Sequence, residues 1–388
     1  MPTCNLIGIY PPSDELLPGL IRERLARIRW GNQIAVVGDP DRDGAPTLLM
    51  TYLSEDGEDG REQTDPMDIV GAINKEALEG KDATCELWAT APAPIPLPPA
   101  GGYGPLIEIR ARDLEDWRHR ASRAVSKYGI VAQRNVLGSS GDHQASVLRT
   151  LRKVVDGAVD RAMSALSEQR PSVHVGRDPF VYREIASRNL ERFDLRLEDT
   201  PGAKECIEEH VLGNPRVRSL LQETLGSYPE EIDYDVGVVF SRPGAVDQTW
   251  HADGKHIKGN GSKWEGWGLE AEEENSDEDE NEDRTRDVYA LCLFLPLIDL
   301  DHKVGYTQFW PCSHRHRELL GFGKVAELTN ATYEGICNAG DGVWYDYRLM
   351  HRGMRNVSTN VVRPVMQVIF KKKWYIERDN YGVESIYR

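Results

Sequence analysis

The stretch Gln248-Thr249-Trp250-His251-Ala252-Asp253-Gly254 decides how this 388-residue chain is read. In an extended strand, side chains at i and i+2 point to the same face, so His251 and Asp253 face one way and Ala252 the other. An imidazole and a carboxylate on one face offer two ligands to one ion. The third ligand then has to come from a strand distant in sequence and adjacent in space.

The segment Gly342-Val343-Trp344-Tyr345-Asp346-Tyr347-Arg348-Leu349-Met350-His351-Arg352-Gly353 supplies it, an apolar and aromatic run of strand character that leads into His351. Two imidazoles and one carboxylate on one side of a metal are the facial ligand set of non-haem Fe(II) sites. Further on, Arg363 begins the strand Arg363-Pro364-Val365-Met366-Gln367-Val368-Ile369-Phe370. Its planar fork donates two parallel hydrogen bonds to a carboxylate and stays charged at any working pH. Taken singly, His251 reads as an ordinary strand histidine and Asp253-Gly254 as a strand exit. Their order with His351 and Arg363 favours the metal site. His256, His302, His314 and His316 lie near these segments without comparable ligand spacing.

Three ordered blocks carry a resemblance to a known family: Gln248 to Gly254, Tyr289 to Arg315, and Asp341 to Trp374. The middle block contains Leu293-Phe294-Leu295-Pro296-Leu297-Ile298-Asp299 and Gly305-Tyr306-Thr307-Gln308-Phe309-Trp310-Pro311-Cys312-Ser313-His314-Arg315; the last has Asn356, Ser358 and Arg363-Pro364 after His351-Arg352-Gly353. Over its last two-thirds the chain resembles the phytanoyl-CoA dioxygenase family of Fe(II)/2-oxoglutarate-dependent oxygenases. That resemblance implies a mainly β core within an α+β chain, a double-stranded β-helix (cupin-like jelly roll) braced by helices. It implies iron held by His251, Asp253 and His351, and 2-oxoglutarate held by Arg363 with Gln248 and Thr307. It also implies O2 as co-substrate, and oxidation of a small metabolite's C–H bond with release of succinate and CO2.

Three positions bear on these implications. Cys312 stands where the family has glycine. Gly353 stands where several relatives place a serine that bonds 2-oxoglutarate. Asp253 is a carboxylate where related halogenases have a small residue, which favours hydroxylation over halogenation. His314 is implied to be structural, closing a turn beside the site.

Composition bounds the rest. Hydrophobic content of 40% with mean hydropathy −0.52 reads as a globular protein with polar insertions. A net charge of −16 argues against non-specific binding to nucleic acid or anionic membranes. The six cysteines include no Cys-x-x-Cys pair and read as thiols in a reducing compartment. With no signal-peptide pattern, no apolar run of membrane-spanning length and no C-terminal Ser-Lys-Leu, the cytoplasm is the expected location.

Along the chain, residues 1–90 fall outside the oxygenase pattern and read as a small N-terminal α+β domain of unknown role. A helix is expected over Leu17 to Ile28, strands over 33–37, 47–53 and 84–90, and a further helix over Asp68 to Leu78. Residues 91–104 form a Pro/Ala/Gly linker, and 105–388 the oxygenase domain. There, helices are expected over Asp113 to Tyr128 and Ser146 to Glu168, with a strand over 129–137 between them. Residues 258–287 hold twelve acidic and four basic residues, half of the net charge, and read as a disordered insertion, a candidate lid or a tolerated surface loop. Arg183, in the arginine-rich stretch Phe180 to Leu197, is a candidate for the substrate entrance, against a structural ion pair. The expected partner is a small molecule. Three alternatives stay open: a peptide-directed hydroxylase on the same site, a non-catalytic jelly-roll binding protein, and an acyl-CoA hydroxylase. The last is disfavoured because strand alternation splits Lys371, Lys372 and Lys373 between two faces.

Overall fold

Short apolar runs recur from Cys4 to Lys372, and the computed structural model turns them into three sheets. It describes residues 4–10, 34–37, 47–52, 70–71, 73–77, 84–90, 96, 98–99, 101–110, 116–138, 141–197, 200–226, 231–254, 288–320, 322–328, 330–376 and 381–387. The helix expected over Leu17 to Ile28 and the acidic insertion 258–287 lie outside the described residues. The chain divides into two compact units, 1–98 with 316–331, and 99–315 with 332–388. No helix among the described residues is long and apolar enough to cross a membrane.

In the first unit, β1 (Cys4–Tyr10), β2 (Ile34–Val37), β3 (Thr47–Tyr52) and β4 (Thr84–Thr90) form an antiparallel sheet ordered β2-β3-β1-β4. Of the helix expected over Asp68 to Leu78, part lies outside the described residues; the rest shows helix at 70–71 and a π-helical turn, Ile73–Ala77. Its Asn74 side chain brackets Cys85 of β4, donating to the carbonyl at 2.8 Å and accepting from the N–H at 2.7 Å.

The second unit is built on eight strands: β5 (Glu108–Arg110), β6 (Ile130–Arg134), β7 (Ile185–Asn189), β8 (Arg192–Arg196), β9 (Ile232–Ser241), β10 (Ala290–Pro296), β13 (Gly342–Asp346) and β15 (Arg363–Lys372). Their order is β5-β6-β13-β10-β15-β9-β8-β7, antiparallel except for β5 with β6. Every residue of β10 and β13 is buried, as expected of central strands covered on both faces. The helix Gly141–Gln169 buries Val147, Leu148, Leu151, Val155, Ala158, Ala162 and Leu166, a single stripe at helical spacing. A shorter helix, Pro215–Leu225, starts on Asn214, whose side chain accepts from the Arg216 N–H at 2.9 Å.

A smaller sheet faces the large one, ordered β12-β11-β14 from β11 (Thr307–Phe309), β12 (Tyr333–Glu334) and β14 (His351–Gly353). It is extended by a bridge from His251 to His351. Phe309 of this sheet packs 5.3 Å from the Tyr345 ring of the large one. Two sheets closed face to face over aromatic rings make the jelly roll, and one end of the gap between them becomes the site.

Candidate metal centre

Three side chains converge where the small sheet ends. His251 and His351 are backbone partners, each N–H donating to the other's carbonyl, at 3.0 and 2.8 Å. The pairing sets their rings 4.5 Å apart. His251 Nε2 lies 3.7 Å from Asp253 Oδ1, and His351 Nε2 lies 3.5 Å from Asp253 Oδ2. One ligand atom from each of the three lies within 4.8 Å of the other two, as donors around a single ion do.

Backbone carbonyls settle which nitrogens face that point. His251 Nδ1 lies 2.8 Å from the Thr249 carbonyl and His351 Nδ1 2.9 Å from that of Leu349, so each Nδ1–H donates two residues back. With Nδ1 engaged as donor, Nε2 keeps its lone pair for a metal. Burial holds His351 down to about 4 against the pull of Asp253, so the ring is neutral at physiological pH. Asp253 is oriented from the large sheet by the buried Tyr345, whose hydroxyl donates to Oδ2 at 3.1 Å.

The approach to His351 is clamped twice. Arg348 donates from Nε and Nη2 to the two oxygens of Asp346 at 2.8 and 2.6 Å. Burial works against the Asp346 charge, and Arg348 and its neighbours more than offset it, holding the carboxyl below its usual range. Ser313 Oγ donates to the Trp310 carbonyl at 2.7 Å and accepts from the Met350 N–H at 2.9 Å, tying the turn of the middle block to the residue before His351.

That turn yields two expected results. Cys312 adopts φ +72°, the left-handed region that favours glycine, with its N–H on the Tyr128 carbonyl at 2.8 Å. The substitution Cys312→Gly is therefore expected to stabilise the fold by about 1 kcal/mol, relieved backbone strain exceeding lost packing; a urea midpoint that falls would refute this. His314, at 2% exposure, lies with Nε2 3.3 Å from the Ser126 carbonyl. Burial pushes its pKa from 6.5 to about 4. Between those values the unfolded chain takes up a proton that the folded one refuses, so stability falls as pH drops from about 6.5 towards 4. The loss attributable to this residue approaches about 3 kcal/mol. Urea unfolding at pH 7 and pH 4.5 should show a smaller loss in His314→Gln than in the native chain.

The three converging side chains open into a cavity of about 280 Å³, lined also by Arg188, Arg192, Asp194, Gln248, Thr307 and Arg363. Gln248 Oε1 accepts from the Gly353 N–H at 3.0 Å, which fixes one wall, and Thr307 lies on β11 opposite Gly353. Arg363 is 2% exposed; its Nη1 donates to the Tyr306 carbonyl at 3.2 Å and that of Met354 at 3.4 Å, and its Nε has no partner among the described residues. Gly305 makes room for it: at φ +84° its position has no space for a side chain, since a Cβ would sit 2.7 Å from Arg363 Nη1. Arg183 is exposed and is not among the lining residues.

From that same stretch the cavity takes Arg188, Arg192 and Asp194, which the sequence reading passed over, as it did Tyr345. The alternation Arg192-Phe193-Asp194-Leu195, four residues all buried in one strand, is the signal that points to them: Phe193 and Leu195 take the core face, leaving the charged residues to the interior of the roll. Asp194 is paired with Arg188, and its Oδ1 lacks a partner among the described residues.

No family model matches the chain. Among solved structures it is similar to AviO1 from Streptomyces viridochromogenes, at 15% identity over 66% of this chain and 95% of that one, with a TM-score of 0.42. It is similar also to SnoK, a non-haem α-ketoglutarate-dependent carbocyclase from nogalamycin biosynthesis, at 15% over 68% and 87% with 0.43. A third is EctD from S. alaskensis, solved with 2-oxoglutarate and 5-hydroxyectoine, at 13% over 68% and 79% with 0.41.

Proposed function

We propose that this protein is an Fe(II)/2-oxoglutarate-dependent dioxygenase that hydroxylates, or otherwise oxidises, a C–H bond of a small polar metabolite. Residues 105–388 are its oxygenase domain, and succinate and CO2 are its by-products. The observation that carries this reading is a buried guanidinium, Arg363, on the wall of the cavity into which two imidazoles and a carboxylate open.

The residues present fit both groups. Two nitrogens and one oxygen are the donor set suited to ferrous iron, and a buried cation with an unpartnered N–H calls for an anion. His251, Asp253 and His351 would hold the metal from one side, and Arg363 would take the distal carboxylate of 2-oxoglutarate beside Gln248 and Thr307. Iron, when bound, supplies the activation of oxygen and of the C–H bond. The chain supplies placement: Phe294 and Val365 give the cavity apolar wall that excludes water, while Asp194, Arg188 and Asn189 offer polar anchors to a substrate. Such a lining suits a polar metabolite better than an acyl chain. A carboxylate at Asp253 favours hydroxylation over halogenation.

The test is anaerobic. Adding Fe(II) and then 2-oxoglutarate to the metal-free protein is expected to produce a visible metal-to-ligand charge-transfer band, and the absence of a band from folded protein would sink the proposal.

A further inference from the structure

Arg192 is the least expected residue of the cavity. It is 0% exposed, more deeply buried than any solitary guanidinium should be, and it forms no ion pair within 4 Å among the described residues. Its Nη2 reaches only backbone carbonyls, of Val246 at 3.0 Å, Met354 at 3.1 Å and Gly353 at 3.5 Å. Its Nε and Nη1 have no partner among the described residues.

The strand register explains where it points. Arg192 of β8 and Arg363 of β15 are both paired with Ser241 of β9, so the three occupy one row across the sheet and face the same side. Both guanidinia converge on the Met354 carbonyl. Ser241 Oγ, also buried, lacks a partner among the described residues, as does Arg363 Nε. One row therefore presents several unanswered donors and two positive charges, with no carboxylate paired to Arg192 or Arg363 among the described residues. Burial, opposed by Asp194 and Asp247, holds Arg192 down to about 10, still charged at neutral pH.

Gly353 is what admits the second guanidinium. A Cβ at that position would lie 2.4 Å from Arg192 Nη1 and 2.4 Å from Gln248 Oε1. A side chain at 353 and the present seat of Arg192 exclude each other.

We propose that Arg192 and Arg363 form a two-guanidinium clamp that holds one carboxylate of a small dicarboxylate between them, with Gly353 as the residue that makes room for the second arm. In the oxygenase reading, on which the ligand's identity rests, that group is the distal carboxylate of 2-oxoglutarate. The clamp itself requires only the anion, so it binds without metal.

Two titrations separate the two readings. Calorimetry of the metal-free protein uses 2-oxoglutarate and glutarate, which has the two carboxylates but no keto group; the second titration follows the charge-transfer band with Fe(II). Native protein is expected to bind both acids without metal. Arg192→Ala, and Arg192→Met in case the alanine variant does not fold, should each weaken binding about ten- to a hundredfold. Gly353→Ser should weaken it similarly by displacing Arg192, so Arg192→Ala/Gly353→Ser should bind no more weakly than Gly353→Ser alone. Glutarate binding within twofold of native in a folded Arg192 variant overturns the clamp and leaves the oxygenase reading standing if the band forms. Arg192-dependent binding of glutarate with no band supports the clamp and overturns the oxygenase reading. No binding of either acid by native protein overturns the clamp outright.

Discussion

Asp253→Ala is expected to abolish the charge-transfer band and to lower Fe(II) affinity by more than about a hundredfold, the upper end of what loss of an outer-shell partner alone costs a metal site. The carboxylate is the single anionic group among the three, and its oxygens lie 3.7 and 3.5 Å from the two imidazole nitrogens. Two imidazoles held by Thr249 and Leu349 would remain, a much weaker set for a hard divalent ion. The variant also takes an acceptor from the buried Tyr345 hydroxyl, which should destabilise the fold by about 1 to 3 kcal/mol. Asp253→Asn separates the effects, because it keeps volume and an acceptor while losing the charge. Native-like melting with lost iron binding in the asparagine variant is the expected pair of results. Full iron affinity there would show that the ligands lie elsewhere.

Arg363→Met should produce opposite changes in binding and stability. Loss of charge-assisted hydrogen bonds to the co-substrate is expected to raise the Kd for 2-oxoglutarate by about a hundredfold or more. Stability of the ligand-free protein should stay level or rise by about 1 to 4 kcal/mol, as when buried charges give way to apolar side chains of similar volume. The reason lies in the acceptors. The Tyr306 carbonyl also takes the Met354 N–H at 2.7 Å, and the Met354 carbonyl also takes Arg192 at 3.1 Å, so neither is orphaned when Arg363 goes. Desolvation and the neighbouring Arg192 both push the Arg363 pKa well down, a sign that its charge is a strain on the empty fold. Binding by charge-transfer titration and stability by urea unfolding, made on the same samples, would check the trade. Unchanged 2-oxoglutarate affinity would remove Arg363 from the site.

Much of this was legible in the residues. The period-two placement of His251 and Asp253, the apolar run into His351 and the arginine after it have a physical basis in strand geometry and donor chemistry, so a linear reading reaches them. The long helix was legible for a similar reason, since its apolar stripe repeats at 3.6 residues. The jelly roll itself came from the resemblance, because antiparallel order among strands far apart in sequence leaves no mark in any one of them.

What only the tertiary structure decided is the company each residue keeps. Local pattern marks Arg183, Arg188, Arg192 and Arg196 alike as strand arginines among acids. Pairing of β8 and β15 with Ser241 sets Arg192 and Arg363 in one row, while Arg183 stays exposed outside the lining of the cavity. Tyr345 reads as one more aromatic core residue until the two sheets close and its hydroxyl meets Asp253. Gly353 reads as a missing side chain until Arg192 is seen in its space. Periodicity and side-chain chemistry are properties of the chain taken a few residues at a time, and the sequence by itself determined those. Burial without a counter-charge, shared acceptors and excluded volume are properties of residues brought together from different strands and loops, and only the fold determines them.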